Sequence, residues 1–170
     1  MKKRVFSLFL IISLALTSLV SCKEEKEFTH CEFTFVLDDS FVSEESEQYD
    51  LLLTDGEIII SLMRISLDAA LSTGISDTYT AKGFAAFFMH KSTKSDTLLT
   101  HGDVPYYTYT EKYSGKEFFH TVTFYRSYSA YFVVGYSVAG EDGDKHLDRF
   151  LEYASNAYFN DAPIIKTEQQ

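Results

Sequence analysis

The chain has 170 residues, with 25 acidic and 15 basic side chains and a net charge of −10 when histidine is neutral. That length suits one domain with a core of its own. The charge argues against nucleic acid or an anionic bilayer surface as a binding partner.

The N-terminus opens Met1-Lys2-Lys3-Arg4 and then runs apolar over residues 5–20, broken only by Ser7, Ser13, Thr17 and Ser18. A basic start followed by an apolar run has the layout of a signal peptide. The run is short for a spanning helix, which needs about 20 apolar residues. It closes on Leu19-Val20-Ser21-Cys22. That sequence resembles the lipobox of bacterial lipoprotein precursors. The resemblance implies cleavage between Ser21 and Cys22 and a thioether-linked diacylglycerol on Cys22. Residues 1–21 are then a signal peptide, and the mature protein is held by lipid on the outer side of a cell membrane or on an outer membrane. Buried acyl methylenes are worth about 0.8 kcal/mol each, so two or more chains anchor firmly. The competing readings are an ordinary signal peptide with an incidental cysteine, or an uncleaved anchor. Losing Lys2, Lys3 and Arg4 leaves 12 basic residues against 25 acidic ones, a mature charge of −13.

Residues 22–30 read as a lipidated tether, with the charged stretch 23–27 flexible. Residues 31–37 read as a first strand with Cys31, Phe33, Phe35 and Leu37 on one face, and Cys31 is expected to be a buried small hydrophobe. Asp38-Asp39-Ser40 makes a turn, and residues 41–48, with Glu44, Glu45 and Glu47, an exposed loop. Asp55-Gly56 separates two apolar runs and predicts a hairpin over 49–66 with a type I′ turn. A short helical turn fits 67–76. Ala81, Phe84, Ala85 and Phe88 recur at helical spacing within 77–91, with Ser76 or Asp77 as the cap.

Residues 97–138 are strand-rich. Short strand 97–101 ends at Gly102-Asp103. Strand 104–113 carries Pro105 near its start, where a missing donor does least harm. Ser114-Gly115-Lys116 turns the chain into strand 117–126. The run 130–138 is apolar on both faces and predicts a central strand covered on both sides. A last helix is expected from 141 to about 159, capped by Asp142 or Asp144, with Leu147, Phe150, Leu151, Ala154 and Tyr158 as its apolar stripe. Residues 31–160 thus form a single domain, and 161–170 a polar tail.

No catalytic constellation stands out. His30, His90, His101, His120 and His146 have no metal-ligand spacing. Glu141-Asp142-Gly143-Asp144 lacks the later ligands of a calcium loop and suits a helix start. There is no Gly-x-Ser-x-Gly elbow and no phosphate-cradling glycine motif. Neither a cofactor nor a metal is expected. Tyr106, Tyr107, Tyr109 and Tyr113 cluster on one strand. Sheet propensity explains them, while tyrosine's contact area at low entropy cost makes them a candidate partner-facing surface.

The element order resembles that of the PsbP-like superfamily, whose members include a photosystem II extrinsic subunit, a nuclear-import factor and DcrB-type bacterial lipoproteins. The points of likeness are Phe33-Thr-Phe-Val-Leu37 before a turn, 118–126 followed by 131–136, and the closing helix over 147–159. Where the family often has Pro-x-Gly-Trp after the first strand, this chain has Asp38-Asp39-Ser40-Phe41 and no tryptophan. The resemblance implies an α+β fold, with an antiparallel sheet of six to seven strands between helices, and non-enzymatic accessory or binding work. The sequence reading is therefore an anchored, non-enzymatic lipoprotein. The alternatives are a cell-envelope hydrolase whose site assembles only in three dimensions, or a solute-binding lipoprotein.

Overall fold

The computed structural model describes residues 24–160, apart from 93 and 141. Residues 1–21, expected to be a signal peptide, Cys22, and the expected tail over 161–170 lie outside the described residues. The strands and helices are, in chain order, β1 (Glu25–His30), β2 (Phe33–Asp38), β3 (Val42–Glu44), β4 (Leu51–Thr54), β5 (Ile58–Ser66), α1 (Leu67–Ser72), α2 (Ala81–Ser92), β6 (Leu99–His101), β7 (Val104–Tyr113), β8 (Lys116–Arg126), β9 (Ala130–Ala139), a 3₁₀ turn (Gly143–His146), α3 (Leu147–Asn156) and β10 (Tyr158–Phe159). The fold is α+β. A seven-stranded antiparallel sheet runs β3-β4-β5-β9-β8-β7-β6, and a small sheet runs β1-β2-β10.

The small sheet and α3 cover one face of the large sheet. Period-two alternation drives this packing. Phe33, Phe35 and Leu37 of β2 meet Ile58, Ile60 and Leu62 of β5, and Phe132, Val134, Tyr136 and Val138 of β9. Phe150 of α3 stacks on Tyr136 at 5.6 Å and reaches Phe119 at 6.5 Å. The opposite face carries a second cluster, in which α1 and α2 bring Ala70, Phe84 and Ala85 onto Tyr107, Val122, Phe124, Tyr131 and Val133. β9 is the middle strand, as its two apolar faces predict.

Several local expectations are corrected. The charged stretch expected as tether is ordered from Glu25, because β1 pairs along the whole of β2, from Glu25↔Asp38 to His30↔Phe33. Cys31 is not in a strand. It is exposed in the β1–β2 turn at φ 51, a backbone region that disfavours side chains with a Cβ. Phe41, expected in a polar loop, is fully buried, with its ring 5.7 Å from Tyr153.

The Asp55-Gly56 turn closes the expected hairpin, but it is not type I′, since only Gly56 has positive φ (92). The Asp55 carboxylate instead accepts the N–H groups of Glu57 and Ile58 at 2.9 and 2.7 Å. Both central residues have positive φ at Ser114-Gly115, 51 and 79, and there the two-residue turn is of the I′ kind. α2 starts at Ala81 because Thr80 Oγ1 accepts the Gly83 N–H at 3.1 Å, so neither Ser76 nor Asp77 is its cap. No side chain caps α3. Gly143 ahead of it sits so close to the sheet that a Cβ there would clash with the Phe119 Cβ. Tyr158 has left the helix and pairs with Thr34 in β10.

Candidate binding face of the sheet

The helices cover only half of their face of the large sheet. The reason is written along β9. Tyr131 and Val133 project under α2, but the next two residues on that face are Gly135 and Ser137. A side chain at Gly135 would meet Ser61 Oγ at 2.8 Å, so this part of the sheet is kept low and carries small groups.

Register assembles the uncovered half. Ile59 pairs with Ser137, Ser137 with His120, and His120 with Tyr109, so the four stand in one cross-strand row. Phe118, opposite Glu111, stands in the next row, and Tyr113 closes the β7–β8 hairpin opposite Lys116. Of these side chains all but Tyr109 and Lys116, together with Tyr49, Leu52 and Ser61, border a shallow, mainly apolar trough of 340 Å³.

His120 is the hub of its floor. Tyr109 lies flat on the imidazole, with centroids 4.6 Å apart and planes 15° apart. Nδ1 shares a 2.7 Å hydrogen bond with Ser137 Oγ. Nε2 is buried with no hydrogen-bond partner among the described residues. The nearest carboxylate oxygen, Glu111 Oε1, is 3.8 Å away, beyond hydrogen-bonding range. Burial lowers the His120 pKa below its ordinary value, against the pull of Glu111, so the ring is neutral near pH 7. Glu111 is held below the usual carboxylate range by its contact with Lys94. The Lys94 ammonium also lies 5.2 Å from the Tyr109 ring centroid. Burial, helped by Glu111, pushes the Tyr109 phenol up to about 12. The face is therefore aromatic and has one neutral imidazole with an unmet hydrogen bond.

The tyrosines singled out from sequence separate. Tyr106 is buried, and Tyr107 is buried beside Phe124 below α2. Tyr109 lies on the His120 ring, and of the four Tyr113 alone lines the trough, 71% exposed. His120, Phe118, Ile59 and Tyr49 join it there, a grouping that sequence spacing alone does not mark. A signal was available: a two-residue turn at Ser114-Gly115 sets the register that puts His120 opposite Tyr109. Among the described residues no three His, Cys, Asp or Glu side chains come together to hold a metal ion, and no helix is long and apolar enough to cross a membrane.

No protein-family model and no curated protein matches the chain significantly. Solved structures do. A crystal structure from Bacteroides thetaiotaomicron superposes with a TM-score of 0.54 at 12% identity, over 80% of this chain and 48% of the other. This chain thus spans about half of that one. The solution structure of cyanobacterial PsbP (CyanoP) from Synechocystis sp. PCC 6803 matches at TM-score 0.49 and 13% identity, over 84% and 96%. A mutant of the protein Mog1 matches at TM-score 0.45 and 10% identity, over 82% and 97%. What this chain shares with the Bacteroides thetaiotaomicron structure, at 12% identity, is the fold.

Proposed function

We propose that this protein is a lipid-anchored, extracytoplasmic lipoprotein whose folded domain is a non-enzymatic accessory or binding module. The observation that carries the binding reading is the half-bare sheet face. An apolar, aromatic-lined hollow left open by the helices is the usual form of an interaction site. The Leu19-Val20-Ser21-Cys22 stretch supports the anchor. The PsbP-like order of elements, with cyanobacterial PsbP among the structural neighbours, is in keeping with accessory work. Neither PsbP's own partners nor Mog1's are carried over.

A photo-crosslinking amino acid at position 113, in the native envelope, tests the reading. The expected product is a defined polypeptide adduct absent when the crosslinker is at exposed Glu152. If positions 113 and 152 give the same background, or no polypeptide adduct, the trough is not a binding face.

A further inference from the structure

The trough does not stand alone. Tyr49 and Leu52 also line a neighbouring hollow of 610 Å³, whose other wall carries Glu44, Glu45, Glu47 and Asp50. The two hollows form one continuous surface, acidic on the β3–β4 side and aromatic on the β7–β8 side. The cations nearby are Lys94, which is neutralised by Glu111, and Lys116 at the hairpin. Glu44, at the end of β3, and Glu45 and Glu47 in the loop after it are exposed and form no ion pair among the described residues.

We propose that this joined surface receives an extended, positively charged segment of a partner protein. Its apolar side chains would lie in the trough, and its Lys or Arg side chains over the acidic wall. The proposal rests on the binding-module reading above and adds the chemistry of the partner.

Three observations select this occupant. The first is charge: a chain at −10, with unpaired glutamates along the site, attracts cationic segments and repels a second copy of itself. The second is the rings. Tyr49 and Tyr113 are 39% and 71% exposed and offer π faces to a guanidinium or ammonium group. The third is the floor. Ser61 and Ser137 line it and offer hydrogen-bonding groups that suit a polypeptide and gain nothing from an acyl chain.

The test uses the full acylated protein in nanodiscs of zwitterionic phosphatidylcholine. The probes are fluorescent peptides alternating Arg with Leu, and Glu with Leu, followed by anisotropy. The Arg-Leu peptide should bind, and bind less tightly as ionic strength rises. Tyr113→Ser, and Glu44→Gln with Glu45→Gln and Glu47→Gln together, should each weaken it about tenfold. All four side chains are exposed, so the fold survives. Equal binding of the two peptides, or parental affinity in both variants, overturns the proposal. So does a crosslink from position 113 to lipid in place of polypeptide. A polypeptide crosslink at 113 without preference for the basic peptide removes only the charge inference. Absence of that crosslink removes the binding-module reading itself.

Discussion

The carboxylate of Glu32, in the turn between β1 and β2, accepts the Ser127 hydroxyl across the molecule at 2.8 Å. Ser129 donates to the same oxygen, and Arg64 Nε lies 3.4 Å from the other. This contact pins the small sheet to the β8–β9 turn. It involves residues 95 and 97 positions away, so nothing local in the sequence announces it.

Burial alone would raise the Glu32 carboxyl. The Ser129 and Ser127 hydroxyls, its own backbone N–H and Arg64 outweigh burial and hold it at about 2, against an ordinary 4.5. A depressed carboxylate stabilises the fold above its unfolded pKa, and that contribution is lost as pH falls through the folded pKa. Allowing for solvent screening, it is about 1–2 kcal/mol. Urea midpoints of the parent should therefore drop between about pH 5 and pH 2. Glu32→Gln should be less stable at neutral pH and flatter across that window. A variant as stable as the parent at pH 7 would show that the contact holds nothing together.

The second prediction concerns α3. Phe150 is fully buried and Leu151 nearly so, while Glu152 is exposed. An isolated ten-residue helix is marginal in water, so α3 depends on its packed face. Phe150→Ala should cost about 3–5 kcal/mol and Leu151→Ala about 2–5 kcal/mol. Glu152→Ala should stay within about 0.5 kcal/mol. Thermal unfolding of the three variants decides the matter, and similar small shifts would mean that α3 is not docked.

The legible part of the fold is the part with strong periodicity. Phe33, Phe35 and Leu37 alternate and are buried. β9 is apolar on both faces and central. Phe150, Leu151 and Ala154 form the buried stripe of α3. Alternation fails where tertiary pairing overrides composition. Glu25, Lys26 and Glu27 look like a solvated tether, yet they gain a full ladder from β2. Tyr158 sits at helical spacing but is drawn into β10 by Thr34. The trough was hidden for another reason. It is defined by what α2 leaves uncovered, and the length of a cover is not encoded at Ile59, Phe118 or His120 themselves. Asp-Gly was misleading in detail because the Asp55 side chain supplies acceptors that a backbone turn would otherwise provide.

The third prediction follows from Cys31. Exposed and at φ 51, it should react with a thiol reagent in the native protein almost as fast as after denaturation. A slow native reaction would place it inside. Cys31→Asn, which tolerates the left-handed region, should be neutral or stabilising. Cys31→Val should destabilise by about 1–2 kcal/mol, since a β-branched side chain is crowded there. Equal midpoints for the two variants would argue against the left-handed turn.

The fourth prediction isolates the anchor. Cys22→Ala should release the protein from the membrane fraction into the soluble extracytoplasmic fraction, with the folded domain unchanged by circular dichroism. The acyl chains on Cys22 are the expected hold, and the described residues contain no long apolar helix to replace them. Detergent-phase partitioning that persists in the variant would refute the lipobox reading.

The last prediction is the pH response of the trough. His120 is neutral because burial lowers its pKa, with Lys94 adding to the effect and Glu111 opposing it. In the unfolded chain the same ring titrates near 6.5. Between the two pKa values the unfolded state binds more protons, so stability is full above about 6.5 and falls as pH drops toward the folded pKa. His120→Phe keeps a ring against Tyr109, gives up the 2.7 Å bond to Ser137 and removes the titration. Its stability should therefore lose the parent's slope below about pH 6.5, leaving the loss at lower pH assigned to Glu32. Ser137→Ala keeps the imidazole and should keep the slope. An NMR titration of the His120 ring adds a direct reading, with its midpoint expected below 6.5. A midpoint above that value would mean that Glu111 prevails over burial, and that the floor of the trough carries a positive charge at mildly acid pH.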